Sequence, residues 1–210
     1  MTNNRIPKWL DWARSIQALS QTGTNYSVNE FDKERYSQLM EIAVEIIAEH
    51  SLHEKDDLIK EFSLQNGYAA VRVDVRAAVF QDNKLLMVNE VMDGTWSMPG
   101  GWADVGDLPS EAAERETLEE TGFIVKARKL IGVYDANRVL GKMELYHAYK
   151  LVFLCDLIDG KAKTSFETSD VRFFEMNEIP SDNFGERTKI RQVEDAYFVK
   201  DNPDSLTVFD

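Results

Sequence analysis

The chain has 210 residues, 43% of them hydrophobic, and a formal net charge of −13. This excess of acidic residues argues against binding of DNA or RNA through charge alone, because such binding needs clustered Lys and Arg. No apolar run in the sequence approaches the roughly 20 residues that span a bilayer. Cys155 stands alone, so no disulfide framework exists, and residues 1–5 lack a signal-peptide pattern. We therefore predict a cytoplasmic protein with one ordinary domain and one small one, with Cys155 buried.

The first sixty residues predict a small helical module. Apolar side chains recur at helical spacing through Trp9, then Trp12 or Ala13, and Leu19, and Gly23 follows as a stop signal. A second helix is predicted to begin at 29–32, and a short third helix follows. Helices of this size form a thin core, so we expect the module to pack on the main domain or on a second subunit. We predict a homodimer.

From residue 68 onward the apolar period changes to two, which is typical of β-strands. The predicted strands are 71–79, 84–88, 124–133, 144–157 and 171–174, and a closing helix is predicted at 188–200. Strands, then a helix, then further strands predict an α/β fold with a mixed sheet and helices on its faces.

Between the second and third of these strands lies the stretch 101–123, GWADVGDLPSEAAERETLEETGF, with five glutamates in ten residues of helical pattern. Pro109 suits a first helical turn, and Gly122 suits the left-handed residue that ends a helix. Ala113 and Leu118 are predicted to lie in its apolar stripe. The stretch therefore predicts one helix with defined ends.

Three glutamates near the end of this helix, Glu116, Glu119 and Glu120, share one face. Their repulsion costs roughly 0.2–0.5 kcal/mol per pair, and the helix macrodipole disfavours negative charge at that end. Two interpretations are open. In the first, the three glutamates form an acidic helix face that is exposed to solvent. In the second, Mg²⁺ supplies the missing positive charge, because this ion prefers carboxylate and water oxygens and commonly bridges protein carboxylates to substrate phosphates. The preceding turn Pro99-Gly100-Gly101 favours the second, because its backbone can approach a metal or a phosphate closely.

The same stretch resembles the signature of the Nudix hydrolases, G-x5-E-x7-R-E-U-x-E-E-x-G-U, where U is a bulky apolar residue. The matching positions are Gly101, Arg115, Glu116, Glu119, Glu120, Gly122 and Phe123. Asp107 stands where the signature has Glu, and Thr117 stands where it has a bulky apolar residue. The resemblance implies an α/β/α sandwich that hydrolyses a nucleoside diphosphate linked to another moiety, releasing a nucleoside monophosphate.

The helical module carries a second resemblance. Its stretches 8–14, 21–23 and 32–36 are similar to the helical N-terminal domain of bacterial Nudix enzymes described as ADP-ribose or CDP-choline pyrophosphatases. This resemblance implies a helical N-terminal domain at 1–66 and a Nudix hydrolase domain at 67–210, and it covers nearly the whole chain.

Carried over by position, the resemblance assigns a metal site. Glu116 and Glu120 are the implied ligands, the carbonyl of Gly100 completes the set, and Glu119 is a third ligand or a catalytic residue that holds water beside the metal. The implied cofactor is Mg²⁺, with Mn²⁺ as an expected substitute. A metal suits the reaction, because the enzyme must neutralise a pyrophosphate and deprotonate a water molecule.

Two further catalytic roles are assigned. Arg115 is implied to orient the glutamates, with Asp107 as its partner. In related pyrophosphatases a carboxylate on a later loop often acts as base or extra ligand, and Glu167 is the candidate here, with Asp170 and Glu144 behind it. The alternative for Glu167 is an ordinary exposed loop acid.

Substrate contacts are assigned to residues outside the signature. Arg76, on the first strand of the main domain, either holds a substrate phosphate or pairs with Asp74. Trp96 and Tyr134 are candidates for recognising the base, as is Tyr146. None of these positions carries a spacing that chooses among substrates.

Three functions are open. The leading one is a Mg²⁺-dependent pyrophosphatase acting on substrates of the ADP-ribose or CDP-choline type. The second is a nucleoside triphosphate or RNA-end pyrophosphohydrolase that uses the same signature. The third is a non-catalytic Nudix domain that senses a nucleotide, which is disfavoured because such members typically lose signature glutamates that are present here. The partner expected for the leading function is a small-molecule nucleoside diphosphate derivative, with neither DNA nor membrane.

Overall fold

The computed structural model describes residues 7–136, 146–180 and 187–209. By their contacts these residues form two compact units. The first runs through Val71 and also includes Tyr146 and His147, and the second begins at Arg72. The division falls five residues beyond the predicted boundary at 66/67, in the segment between the last helix of the first unit and the first strand of the second.

Three helices build the first unit: α1 (Lys8–Tyr26), α2 (Glu30–His50) and α3 (Lys55–Ser63). The predicted helical N-terminal region is therefore confirmed. Its core is small and apolar, and it consists of Ala13, Val44, Ile47, Leu58 and Phe62. Asn29 caps α2, because its side chain accepts a hydrogen bond from the backbone N–H of Phe31 at 2.9 Å. No described helix is long and apolar enough to cross a bilayer.

The first helix differs from its prediction in two ways. Gly23 does not end it, since α1 continues to Tyr26. Gly23 instead admits the ring of Tyr36 from α2, which a Cβ at position 23 would meet at 2.4 Å. Leu19, predicted to face inward, is 66% exposed, and of the alternatives Trp12 and Ala13 the structure buries Ala13 and leaves Trp12 59% exposed. The reason is that the helix buries Leu10 and Ala13, of which Ala13 joins the core formed with α2 and α3, so the buried face is narrower than the apolar pattern indicated.

Seven strands are found in the described part of the second unit, and they form one mixed sheet. They are β1 (Arg72–Gln81), β2 (Lys84–Glu90), β3 (Trp96–Ser97), β4 (Phe123–Asp135), β5 (Ala148–Gly160), β6 (Thr168–Phe174) and β7 (Val208–Phe209). The strand order is β3-β2-β1-β5-β4-β7, with β6 paired to β2. Strand β1 runs parallel to β5 and antiparallel to β2, which it joins through a turn with positive φ at Asp82 and Asn83.

Two helices cover opposite faces of this sheet: α4 (Pro109–Thr121) and α5 (Ile190–Asp201). Alternate residues of β1 show the two layers, because Val75 and Ala77 pack with α4, whereas Ala78 packs with α5. The predicted α/β/α sandwich is confirmed. Cys155 lies in the α4 layer, and burial raises the pKa of its thiol to about 12.

Helix α4 begins and ends where its sequence predicts, with Pro109 in the first turn and Gly122 in the left-handed conformation at φ 73°. Its buried stripe is different from the predicted one. Leu118 is 47% exposed, and Thr117 is buried in its place. The Thr117 hydroxyl donates to the backbone carbonyl of Ala113 at 2.6 Å, so a residue that departs from the Nudix signature fits the core without an unpaired polar group.

Candidate active site

A cavity of about 700 Å³ opens beside the turn that precedes α4. Six carboxylates and two guanidinium groups line it: Asp74, Glu90, Asp104, Glu116, Glu120 and Glu167, with Arg76 and Arg187. Two glycines and four apolar residues complete the lining: Gly100 and Gly101, with Val91, Met92, Trp102 and Phe166. Such a polar wall suits a charged ligand with a metal ion rather than an apolar one.

The turn Gly100-Gly101 lies directly against strand β1. A Cβ at Gly100, whose φ is 141°, would stand 2.0 Å from the carbonyl oxygen of Val75, so only glycine fits there. The carbonyl of Gly101 accepts from the N–H of Val75 at 2.8 Å, and that of Pro99 from Ala77 at 2.9 Å. Within the described ranges the carbonyl of Gly100, between them, accepts no hydrogen bond, which leaves it available to a ligand.

Glu120 is held at this turn and is 3% exposed. Its Oε2 accepts a hydrogen bond from the backbone N–H of Gly100 at 2.9 Å. Burial raises the pKa of Glu120 to about 7, although the charge of Arg76 and the Gly100 hydrogen bond oppose that rise. A buried carboxylate that is difficult to ionise gains strongly from a nearby cation.

Glu116 lies one helical turn before Glu120, over Gly101, where a Cβ would meet its Oε2 at 2.8 Å. Arg115 contacts the other carboxylate oxygen of Glu116, with 2.6 Å between Nη1 and Oε1. The second amino group of Arg115 contacts Asp107, with 2.9 Å between Nη2 and Oδ2. Asp107 is therefore long enough to hold Arg115, and this hydrogen bond lowers the pKa of Asp107. Burial raises the pKa of Glu116, with Arg115 opposing it.

Glu119 is placed differently from the other two glutamates. Its side chain is 61% exposed, its nearest cation is Arg115 at 3.5 Å, and it is absent from the cavity lining. Among the described residues, no three His, Cys, Asp or Glu side chains are already gathered as a metal site. The physical reason is that Glu116 turns to Arg115, Glu120 to the Gly100 N–H, and Glu119 to solvent.

The donors nonetheless fit a hard divalent cation. Two carboxylates, Glu116 and Glu120, line the same cavity as Gly100, whose carbonyl has no other partner in the described part of the chain. Oxygen ligands of this kind are those that Mg²⁺ and Mn²⁺ prefer. Glu116, Glu120 and the Gly100 carbonyl would hold the metal, and Glu119 could add a ligand from the solvent side.

Arg76 forms the ion pair that was one of its two predicted roles. Its Nε and Nη2 each lie 2.9 Å from a carboxylate oxygen of Asp74, and its Nη1 donates to the carbonyl of Met98 at 3.1 Å. Burial alone would raise the pKa of Asp74, but Arg76 and Lys150 outweigh it and the pKa lies below its usual value. Arg76 is thus a buried support of the cavity wall, 2% exposed.

The acids predicted to act as base or extra ligand differ in their relation to the cavity. Glu167 lines the cavity with Glu116 and Glu120, and its backbone carbonyl accepts from the N–H of Val91 at 2.8 Å. Asp170 is absent from the lining and pairs with Arg172 at 2.5 Å. Glu144 lies outside the described residues. Of the two predicted acids that the structure describes, Glu167 is the one that lines the cavity.

Two aromatic predictions require correction. Trp96 is 8% exposed and packs edge-on against Phe174, with ring centroids 4.8 Å apart. Tyr134 is 2% exposed, and its hydroxyl donates to Asp195 at 2.9 Å. Both side chains belong to the core on the α5 face rather than to the cavity, because their strands turn those positions inward. Tyr146 belongs to the first unit, where it packs against Phe62.

Seven lining residues were missed, among them Trp102, Glu90 and Arg187. Trp102 is 43% exposed and follows Gly101 directly, so its position after the glycine turn was a usable signal. Glu90 and Arg187 form an ion pair at 2.7 Å across 97 positions of the chain, and no local pattern reveals such a pair.

Comparison with known families accounts for both units. The family described as "UDP-X-like, N-terminal oligomerisation domain" matches residues 7–62, and the family described as "NUDIX domain" matches residues 70–195. A relative from Bacillus subtilis (strain 168), named "Putative ADP-ribose pyrophosphatase YjhB", is 32% identical over 203 residues, which is 97% of each chain. The ADP-ribose pyrophosphatase of Methanocaldococcus jannaschii is 31% identical, covering 76% of this chain and 84% of its own.

Solved structures agree with this grouping. A crystal structure of a UDP-X diphosphatase is 28% identical, with a TM-score of 0.62 over 97% of this chain and 98% of its own. The crystal structure of an ADP-ribose pyrophosphatase from Streptococcus suis is 29% identical, with a TM-score of 0.61 over 67% of this chain and 100% of its own. The NUDIX domain model matches more than half of this chain, and a relative that covers nearly its full length is more than 30% identical. This chain therefore belongs to the Nudix hydrolase family.

Proposed function

We propose that the protein hydrolyses the pyrophosphate bond of a nucleoside diphosphate linked to another moiety, with Mg²⁺ as cofactor, and releases a nucleoside monophosphate. The observation that carries this proposal is the convergence of Glu116, Glu120, Glu167 and the Gly100 carbonyl on one cavity. The names of relatives with 28–32% identity support an ADP-ribose or UDP-X type of substrate. CDP-choline remains an alternative of the same chemical class.

The residues of the candidate metal site and their neighbours have separate roles in this proposal. Glu116 and Glu120, with the Gly100 carbonyl, hold the metal, and Glu119 adds a ligand or positions water from the solvent side. Mg²⁺ bound there would neutralise phosphate charge and lower the pKa of the attacking water. Arg115 keeps Glu116 in place, because it contacts Glu116 with one amino group and Asp107 with the other. Glu167 accepts the proton of the attacking water.

A panel of substrates tests the proposal. We expect the protein with Mg²⁺ to release a mononucleotide from ADP-ribose, or from CDP-choline or a UDP-sugar, faster than it attacks nucleoside triphosphates. Mn²⁺ should replace Mg²⁺ and EDTA should abolish the reaction. Preferred attack on triphosphates would favour the alternative of a triphosphate or RNA-end hydrolase. Negligible turnover of every compound would indicate a nucleotide-sensing domain instead.

Trp102 is an exposed aromatic ring that lines the cavity directly after Gly101, and we expect it to stack on the base or on the other moiety of the substrate. Stacking contributes about 1–3 kcal/mol per base, so Trp102→Ala should raise KM about tenfold or more while kcat changes little. Steady-state kinetics on the preferred substrate provide the measurement. Phe198→Ala, which removes an exposed ring outside the cavity lining, is the control. An unchanged KM in Trp102→Ala would contradict the assignment.

We also expect a homodimer formed through the helical unit. Its family is described as an oligomerisation domain, and its helices expose large apolar side chains, among them Trp12, Leu19 and Phe31 at 59%, 66% and 70%. Small-angle scattering should give the mass of two chains at micromolar concentration. A monomeric mass across the concentration series would refute this prediction.

A further inference from the structure

The cavity wall contains an ion pair to which neither the Nudix signature nor the proposed metal site assigns a role. Glu90, at the end of β2, is 1% exposed. Its Oε1 accepts from the hydroxyl of Ser97 at 2.6 Å, and its Oε2 contacts Nη1 of Arg187 at 2.7 Å. A carboxylate that is nearly removed from water requires such partners, since an unpaired one is costly to bury. Glu90 therefore holds the guanidinium of Arg187 at a defined place on the wall.

Arg187 retains donors that Glu90 does not use. A guanidinium carries five N–H groups. One is directed to Glu90, and Nη2 lies 3.4 Å from the sulfur of Met92. In the ranges that the structure describes, no acceptor is found for the remaining three, and the side chain is 32% exposed. A guanidinium that is held in place and keeps unused N–H groups is suited to bind phosphate oxygens.

Arg76, the other guanidinium of the cavity, does not offer this. All three of its nitrogens already donate, two to Asp74 and one to the carbonyl of Met98, and it is 2% exposed. Six carboxylates face the cavity against these two cations, so a diphosphate that enters requires positive charge from the wall as well as from metal. Arg187 is the cation of the described lining with both exposure and unused donors.

We propose that Arg187, positioned by the buried carboxylate of Glu90, binds a phosphate of the nucleoside diphosphate in this cavity. Arg187 is then a substrate-binding residue and Glu90 a positioning residue that acts through it. The inference rests on the proposed function for the identity of the ligand. It adds to that function a phosphate contact made by the protein itself.

The test compares binding and turnover in the full chain. We expect Arg187→Gln to weaken the binding of α,β-methylene-ADP, a diphosphate that cannot be cleaved, by about 10- to 100-fold in calorimetry with Mn²⁺ present. KM for the preferred substrate should rise by a similar factor. Arg187→Lys should restore part of the affinity for α,β-methylene-ADP and part of the loss in KM, because lysine returns the positive charge but not the planar pair of N–H donors. Mn²⁺ affinity, measured by electron paramagnetic resonance, should remain within twofold of wild type.

Glu90→Gln tests the positioning role. Glutamine keeps an acceptor for Ser97 but lacks the charge that holds Arg187, so nucleotide binding should weaken in this variant as well. The double variant Glu90→Gln/Arg187→Gln should bind no more weakly than Arg187→Gln alone, because Glu90 acts through Arg187. Additive losses in the double variant would overturn the positioning role.

Two results would overturn the phosphate contact. One is wild-type affinity for α,β-methylene-ADP in Arg187→Gln, and the other is a loss of Mn²⁺ affinity as large as the loss of nucleotide affinity, which would mean support of the metal site or of the fold. Failure of the proposed function looks different. In that case the wild-type protein cleaves no substrate, while the comparison of α,β-methylene-ADP binding still decides the role of Arg187.

Discussion

Glu120→Gln is expected to lower kcat by at least about 100-fold while the chain stays folded. Loss of a residue that merely supports a metal ligand typically costs 10–100-fold in activity or metal affinity, so loss of a ligand should cost more. Glutamine has nearly the same shape and keeps an oxygen for the N–H of Gly100, so the local structure is preserved. Turnover with saturating Mg²⁺ and Mn²⁺ affinity are the measurements, and both should fall together.

Stability of the same variant separates loss of a ligand from damage to the fold. Burial raises the pKa of Glu120 to about 7 in the folded, metal-free protein. A raised pKa contributes stability that is fully present below the unfolded value near 4.5 and is lost as the pH rises through about 7. At pH 8 without metal, the variant should therefore be more stable than wild type, by roughly 1–3 kcal/mol in urea unfolding.

Glu111→Gln is the matched control for Glu120→Gln, because Glu111 is an exposed glutamate of the same helix outside the cavity lining. It should leave turnover, Mn²⁺ affinity and stability near the wild-type values. If Glu120→Gln turned over substrate at the wild-type rate, the ligand assignment would be wrong. If it lost stability at pH 8, its loss of activity would report damage to the fold.

Glu167→Gln is expected to lower kcat by about 10²- to 10⁴-fold, the usual contribution of a positioned general base. The expectation follows from its place in the cavity with Glu116 and Glu120. Mn²⁺ affinity and the binding of α,β-methylene-ADP should remain near wild type, because Glu167 acts on the attacking water and not on the metal or the nucleotide. Single-turnover kinetics measure the chemical step directly.

Asp170→Asn provides the control for Glu167→Gln. Asp170 is the neighbouring acid of the same segment, but it pairs with Arg172 and is absent from the cavity lining. We expect this variant to keep its rate. Equal rates for Glu167→Gln and wild type would return Glu167 to an ordinary loop acid, and a large loss of Mn²⁺ affinity would make it a metal ligand rather than the base.

The parts of the site that lie close together in sequence were predictable from the sequence. Pro109 and Gly122 define the ends of α4, because both act through the backbone of their own turn. The three- and four-residue spacing of the glutamates then fixes which of them share a face. The spacing does not reveal how strongly each glutamate is buried. Glu120 is buried at the Gly100 turn, whereas the side chain of Glu119 is exposed to solvent.

Contacts between distant residues could not be predicted. Trp96 and Trp102 are both tryptophans beside the same glycine turn, and only the sheet shows that one packs in the core while the other lines the cavity. Glycine is a residue type that commonly ends helices, but Gly23 instead makes room for the ring of Tyr36 from another helix. The pair of Glu90 and Arg187 joins a strand end to a segment 97 residues later, so neither residue signals the other.

The central claim is that Glu116 and Glu120 tolerate their position because a divalent cation binds there together with a diphosphate. Anomalous diffraction from crystals grown with Mn²⁺ and α,β-methylene-ADP tests it most directly. We predict an anomalous peak within coordination distance, about 2.0–2.2 Å, of oxygens from Glu116, Glu120 and the Gly100 carbonyl, and next to a phosphate of the nucleotide. Mn²⁺ bound elsewhere, with both carboxylates still on Arg115 and the Gly100 N–H, would contradict the account.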